Sequence, residues 1–175
     1  MRASSLNYRD LVMPKRGYGS YTGQLPLIPI SDGVGQVIDV GADVTSVRVG
    51  DRVCPTYFQG RIGGETDLQR LTQSLRGPID ETMTEVMCLS EQGVVPVPDY
   101  LSDIQAASLP CAALTAWSAV VTYGHVKSGE ERMDRATAQH KIVPVTDKVF
   151  AFEALKEAMT YLKSGAQFGK VCIAH

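Results

Sequence analysis

The chain has little net charge and no long apolar run. Its 17 Lys and Arg stand against 19 Asp and Glu, a formal net charge of −2. No basic surface is therefore advertised to nucleic acid or to anionic lipid. Nowhere is there an apolar run of the roughly 18 residues that a membrane-spanning helix needs, so no membrane association is expected. The opening MRASSLNYRD lacks the apolar core of a signal peptide. Cysteine is sparse. Cys54, Cys88, Cys111 and Cys172 lie far apart and never form CxxC, which leaves no readable disulfide framework and no closed structural zinc site. Reduced thiols and a cytoplasmic location are expected. GxSxG, HExxH and GxxxxGK[ST] are all missing.

What is present reads as an ordinary globular protein. Of its 175 residues, 44% are apolar and 21% charged, enough for one sizeable domain or two small ones. From Pro26 to Cys54 the pattern is strand, turn, strand. Val37, Ile38 and Val40 lie between Gly35 and Gly41, and Val44, Val47, Val49 and Val53 surround a Gly50-Asp51 turn signal. Such segments predict a small antiparallel sheet or barrel. Residues 59–77 are polar and glycine-containing, a surface excursion with room for a short helix in TDLQRLTQSL. Strand character resumes over Met83–Leu89 and again over Val94–Val97, where Pro96 and Pro98 point to a sheet edge.

Helical signals follow. Ser102 and Gln105 have capping-box spacing, and Pro110 is expected to end or restart that helix. CAALTAWSAVVTY reads as a second, largely buried helix that stops at Gly124. EERMDRATAQHK is charged and weakly amphipathic. VFAFEALKEAMTYLKSG is strongly so, with Phe152, Leu155, Met159 and Leu162 at three- and four-residue steps and Gly165 as a stop. GKVCIA makes a last strand.

Three stretches invite a functional reading. DGVGQV contains Gly33-x-Gly35, but the third glycine position of a dinucleotide fingerprint is Ile38 and the following residues favour strand over helix. Small residues there suit a tight turn or a close crossing of strands. SLNYRD packs an amide, a phenol, a guanidinium and a carboxylate into Asn7 to Asp10. These groups can orient a polar ligand; spacing alone favours a helix start with Asn7 as cap and Tyr8 packed. In LPCAALTAW, Cys111 taken alone is an inert small hydrophobe.

Taken in order, ASSLNYRDL, PLIPISDGVGQVIDVGADVTSVRVGDRV, VPVPDYLSDIQAASLPCAALTAWSAVV and FAFEALKEAMTYLKSGAQFGKVCI resemble the medium-chain dehydrogenase/reductase superfamily. The resemblance is to its zinc-independent, quinone-oxidoreductase-like alcohol dehydrogenases. It implies an α+β, mainly β fold: a GroES-like, partly open barrel with peripheral helices. Residues 1–130 and 131–175 together form that catalytic domain. In the family a dinucleotide-binding Rossmann domain follows the segment resembling VTYGHVKSGE. Here Glu130 runs directly into Glu131, so the cofactor domain is expected to be absent at that junction, and the family's first strands to be absent ahead of Met1.

The resemblance also carries site residues. Zinc-containing relatives have a cysteine at the place of Asn7, a histidine at that of Ser31 and a cysteine at that of Cys111. Only the last donor is kept, and catalytic zinc takes about three N, S or carboxylate ligands. No metal is expected, even with Asp32 as an oxygen donor. Asn7, Tyr8 and Arg9 resemble residues on the nicotinamide and pyrophosphate side of the cleft, Thr115 one that touches the nicotinamide ring, and Phe168, Gly169 and Lys170 the returning segment that closes over the cofactor. Tyr8 is the candidate proton donor, with a purely pocket-shaping role equally open. The implied cofactor is NAD(P)(H), and the implied reaction is hydride transfer to or from a small-molecule carbonyl, alkene or quinone. Without a nucleotide domain the chain alone is expected to bind no cofactor tightly and to be inactive. Its expected partners are a separate Rossmann-domain chain or further copies of itself. The alternative is a non-catalytic GroES-like remnant that acts as a binding or self-associating module.

Overall fold

The computed structural model describes residues 1–12, 27–60, 74, 75, 79–119 and 141–175. The 130/131 junction, the charged EERMDRATAQHK stretch up to its last residue, Gly124 and most of the 59–77 excursion lie outside the described residues.

A six-stranded sheet organises the described chain, in the order β4-β3-β2-β1-β6-β5. The strands are β1 Ala3–Ser5, β2 Asp32–Gln36, β3 Arg52–Pro55, β4 Val94–Pro96, β5 Thr146–Ala151 and β6 Lys170–Ala174. All neighbours are antiparallel except β5 and β6, which run parallel. The helices are α1 Tyr8–Val12, α2 Asp103–Ala107, α3 Ala112–Trp117 and α4 Leu155–Ser164.

Alternation along the strands sends side chains to two faces. On one face Leu6, Val171 and Ile173 bury against Ala158, Leu155, Met159 and Leu162 of α4, with Ile30 and Met83 completing the cluster. On the other face Ala3 and Val34 pack under Ala106 and Ala107 of α2, with Leu101. Two local signals act as their spacing predicts. The Ser102 hydroxyl accepts from the Gln105 amide at 3.2 Å while Gln105 Oε1 accepts from the Ser102 amide at 3.0 Å, a complete capping box. Gly165 ends α4 in the left-handed region at φ 69°. The proline-bearing β4 is an edge strand, as expected.

Several boundaries differ from expectation. The stretch expected to begin a helix at Val149 is strand through Ala151, because Val149, Phe150 and Ala151 pair with Cys172, Ile173 and Ala174 of β6. The helix starts only at Leu155. DGVGQ, expected to form a tight turn or a close crossing of strands, is strand β2, and the close approach is the alternative that holds. The valine-rich stretch after it does not extend the ladder: Ile38, Val40 and Val49 are exposed, with no core layer over them. Met83–Leu89 is not a strand. Glu81, Thr82 and Met83 donate their amides to Ile28, Ile30 and Pro29, and Thr84 then turns the chain. Helix α3 is not buried, as none of its residues is and Leu114 is 52% exposed. Among the described residues no helix is long and apolar enough to cross a membrane.

Gly33 and Gly35 have a packing role. A Cβ at Gly33 would lie 2.8 Å from Thr82 Cβ, and one at Gly35 would lie 3.0 Å from Met1 Sδ. Inside β2 they line no helix N-terminus, so the motif is not a phosphate loop.

Candidate functional site

The turn between β1 and α1 meets the start of β6. Lys170 Nζ donates to the Leu6 carbonyl at 2.9 Å and to Asn7 Oδ1 at 2.6 Å. The Asn7 amide N–H donates to Asp10 Oδ2 at 2.7 Å, and Asp10 in turn donates its own amide to the Asn7 carbonyl. Asn7 therefore begins α1, but its side chain meets Lys170 of the neighbouring strand β6 and caps nothing. Asp10 is buried, and desolvation pushes its carboxyl up to about 6, against the hydrogen bond from Asn7 and the charges of Arg9 and Lys170.

Next to this turn the Arg9 guanidinium points inward. It donates to Glu81 Oε1 at 2.7 Å and to the Leu75 carbonyl at 3.3 Å, and it lies over the Tyr57 ring at 5.2 Å. Burial pushes the Glu81 carboxyl up to about 7, with Arg9 opposing. Arg9, expected with Asn7 and Tyr8 on the nicotinamide and pyrophosphate side of the cleft, has its side chain in an interior ion pair.

A second group lies at the start of α3. Asp32 Oδ2 accepts from the Cys111 amide at 3.1 Å, and Asp32 Oδ1 accepts from the Ser31 hydroxyl at 3.2 Å. Ser31 Oγ is 4.0 Å from Cys111 Sγ. Burial, followed by the Asp32 carboxylate and its hydrogen bond, pushes the Cys111 thiol up, outweighing Ser31 and Lys170. Cys54 is pushed up to about 12, mainly by burial. All four cysteines are free. A thiol held protonated, a hydroxyl and an amide already engaged by an ammonium are a poor donor set for zinc. Among the described residues no group of three His, Cys, Asp or Glu is placed to hold a metal ion.

The bond from Lys170 to Asn7 thus joins two of the segments singled out in the sequence, Asn7-Tyr8 and Phe168-Gly169-Lys170. Among the described residues Tyr8 and Phe168 are the most exposed of the large hydrophobic side chains, at 72% and 82%. Gly169 has φ 112°, and a Cβ there would fall 2.6 Å from the Val145 carbonyl, so glycine is needed to bring the segment over β5. Thr115 is exposed on α3, whose first turn Asp32 anchors. Of the three carboxylates that organise these groups, the sequence points to Asp10, in SLNYRD, and to Asp32, as an oxygen donor, but not to Glu81. The three-residue spacing from Asn7 to Asp10 was a usable signal. Glu81 has none, since its partner is 72 positions away.

Residues 1–99 match the family model of the alcohol dehydrogenase GroES-like domain. The chain is 37% identical over 118 residues to a zinc-type alcohol dehydrogenase-like protein of Schizosaccharomyces pombe, covering 67% of this chain and 34% of that protein. It is 34% identical over 114 residues to an alcohol dehydrogenase of Geobacillus stearothermophilus, covering 61% of this chain and 34% of that protein. The chain thus spans about a third of the length of these relatives. In fold it superposes on an NAD-dependent alcohol dehydrogenase with a TM-score of 0.82 at 18% identity, covering 99% of this chain and 90% of that one. The chain belongs to the alcohol dehydrogenase GroES-like domain family of the medium-chain dehydrogenase/reductase superfamily.

Proposed function

We propose that the chain is the catalytic-domain portion of a zinc-independent, NAD(P)(H)-dependent oxidoreductase that moves hydride to or from a carbonyl, alkene or quinone. Residues 1–130 and 131–175 form its one GroES-like domain, and it is inactive until a nucleotide-binding domain covers the cleft. The observation that carries this reading is the cleft's donor set. Asn7 is bonded to Lys170, and Cys111 stands with its amide on Asp32 and its sulfur 4.0 Å from Ser31 Oγ. These groups bind and orient polar ligands and do not suit a metal.

The described residues fit the nicotinamide end of a dinucleotide and no more. Tyr8, Thr115, Phe168 and Gly169 are each exposed, and Lys170 is half-buried beside Asn7. A nicotinamide bound there supplies or accepts the hydride. The chain's residues orient the substrate, exclude water and supply hydrogen bonds; exposed Tyr8 is the proposed proton donor, with a purely pocket-shaping role equally open. Weak cofactor binding by the chain alone is part of this proposal, because pyrophosphate is ordinarily held by a strand, a glycine loop and a helix N-terminus.

Insertion of the nucleotide-binding domain of the Geobacillus relative between Glu130 and Glu131 tests the reading. The folded chimera is expected to oxidise NADH or NADPH with a quinone or an enone. A folded chimera that oxidises neither would sink it and favour a non-catalytic binding module. The exposed α3 favours a partner on this face in either case. That partner is a Rossmann-domain chain for catalysis, or another copy of this chain in its absence.

A further inference from the structure

We propose that Ile30 is a positioning residue for the cleft: a backbone joint, held in the left-handed region, that sets Ser31 and Asp32 against the first turn of α3. The inference rests on the reading of that cleft as the working face, and it names what fixes the polar groups there.

Ile30 has φ 74°, and among the described residues the other non-glycine residue with positive φ is the exposed Lys141. A β-branched side chain is crowded in this conformation, which glycine adopts freely. Such strain persists only where the surroundings over-determine it. Two sets of contacts do so here. The Ile28, Pro29 and Ile30 carbonyls accept the amides of Glu81, Met83 and Thr82 at 3.1, 3.2 and 2.8 Å. The Ile30 carbonyl also accepts the Thr82 hydroxyl at 2.6 Å, and that hydroxyl lies 3.2 Å from the Asp32 carbonyl. Its one proton serves the nearer carbonyl, so Ser4 Oγ, 2.9 Å away, donates to Thr82. The second set is apolar. The Ile30 side chain is fully buried in one core cluster with Leu6, Ala158, Val171 and Ile173.

The consequence falls on the next two residues, both buried. Asp32 Oδ1 accepts the Ser31 hydroxyl at 3.2 Å, and Asp32 Oδ2 accepts the Cys111 amide at 3.1 Å. The chain must therefore leave the core layer at Ile30 and enter β2 with its first carboxylate turned toward α3. An isoleucine relaxed to negative φ would redirect Ser31 and Asp32 and break the bond to Cys111. A glycine would make the bend without strain, as Gly165 does at φ 69°. It would carry no side chain into the core, so the joint would lose its anchor. Isoleucine ties the packing under α4 to the cleft through a single backbone angle.

Hydrogen exchange and the 15N–1H shift of the Cys111 amide are the readouts. The Ala106 amide of α2, bonded to the Ser102 carbonyl at 2.9 Å, is the internal control for overall stability. Ile30→Ala and Ile30→Gly remove nearly the same buried side chain, but only glycine escapes the φ penalty. Glycine is ordinarily the less stable of the two, and here the order is expected to invert. Relative to Ala106, Cys111 keeps its shift and protection in Ile30→Gly and loses protection by about tenfold or more in Ile30→Ala. An Ile30→Ala chain that fails to fold where Ile30→Gly folds shows the same inversion. Thr82→Val, which lacks the hydroxyl, is expected to lose Cys111 protection as Ile30→Ala does, and Thr82→Ser to retain it. The Ile30 pair decides where Thr82→Val does not fold. Cys111 and Ala106 falling in parallel in every variant, or Cys111 no better protected in Ile30→Gly than in Ile30→Ala, would overturn the proposal. No cofactor is needed, so a failed chimera leaves the exchange result standing, and a failed exchange test removes the joint and leaves hydride transfer to the chimera.

Discussion

The Arg9 guanidinium donates to Glu81 Oε1 at 2.7 Å with the two side chains 9% and 2% exposed. A charge pair this deep loses most of its Coulombic gain to desolvation, so it is weak evidence for stability. Its removal is asymmetric. Arg9→Met leaves the Glu81 carboxylate buried without its counter-charge, and the expected cost is about 3–5 kcal/mol. Arg9→Met with Glu81→Gln is expected to recover much of that loss. Urea unfolding of the two single variants and the double variant checks the cycle. Additive losses would show that the two groups are not coupled.

Asp10 gives a pH dependence of unusual sign. Its folded carboxyl is pushed up to about 6 from 3.8, chiefly by burial. A raised folded value means that its contribution to stability is fully present below the unfolded value and is lost as pH rises through about 6. Glu81, pushed up to about 7 from 4.5, acts in the same direction over a slightly higher window. Between pH 4.5 and 7.5, Asp10→Asn is expected to flatten the fall in stability, by on the order of 2–3 kcal/mol at the alkaline end. Thermal melts of both proteins across that range decide it, and parallel profiles would refute the assignment to Asp10.

What could be read from the sequence divides by range. The Ser102–Gln105 capping box and the Gly165 stop lie within a few residues of the groups that they satisfy, and both were legible. The Val37–Val49 stretch was misread because β-branched residues signal strand whether or not a core layer covers them, and here Ile38 and Val49 face solvent. Val149–Ala151 carries helical spacing, yet pairing with β6 outweighs it. Asn7 and Lys170 were picked out by resemblance, but their bond spans 163 positions and leaves no local mark.

Gly33 tests the packing explanation of the glycine pair. An added Cβ would sit 2.8 Å from Thr82 Cβ and 2.9 Å from Thr82 Cγ2, where Thr82 is itself fixed by a 2.6 Å bond to the Ile30 carbonyl. Gly33→Ala is expected to destabilise by about 1–3 kcal/mol through overpacking. Adding Thr82→Ser, which removes the Cγ2 but keeps the hydroxyl, is expected to restore part of it. A neutral Gly33→Ala in chemical denaturation would show that β2 and the Thr82 segment separate easily.

Metal content follows from the cleft chemistry. Elemental analysis of protein purified without chelator is expected to find less than one zinc per chain. One zinc per chain, lost in Cys111→Ser, would show that burial and the Asp32 carboxylate do not keep the thiol from binding metal. That result would return the cleft to the zinc enzymes.

Association is expected from the surface that remains open. Leu114 on α3, Phe168 ahead of β6, and Val143, Val145 and Val149 in and before β5 are all exposed, and β5 is an edge strand. A contiguous apolar patch of several hundred Å² is unusual on a soluble monomer, and an edge strand offers unpaired backbone groups. Two features work against simple strand addition at β5. Its register is irregular between Thr146 and Lys148, and the Lys148 ammonium lies over the Phe150 and Tyr161 rings at 5.0 and 4.8 Å. The apolar α3 face is therefore the stronger contact. Burying about 500 Å² there is worth on the order of 10 kcal/mol before the entropic cost of association. Sedimentation equilibrium is expected to show dimers or larger species, and Leu114→Asp to shift them toward monomer without loss of fold. A chain that stays monomeric at high concentration would show that this face stays open without a partner.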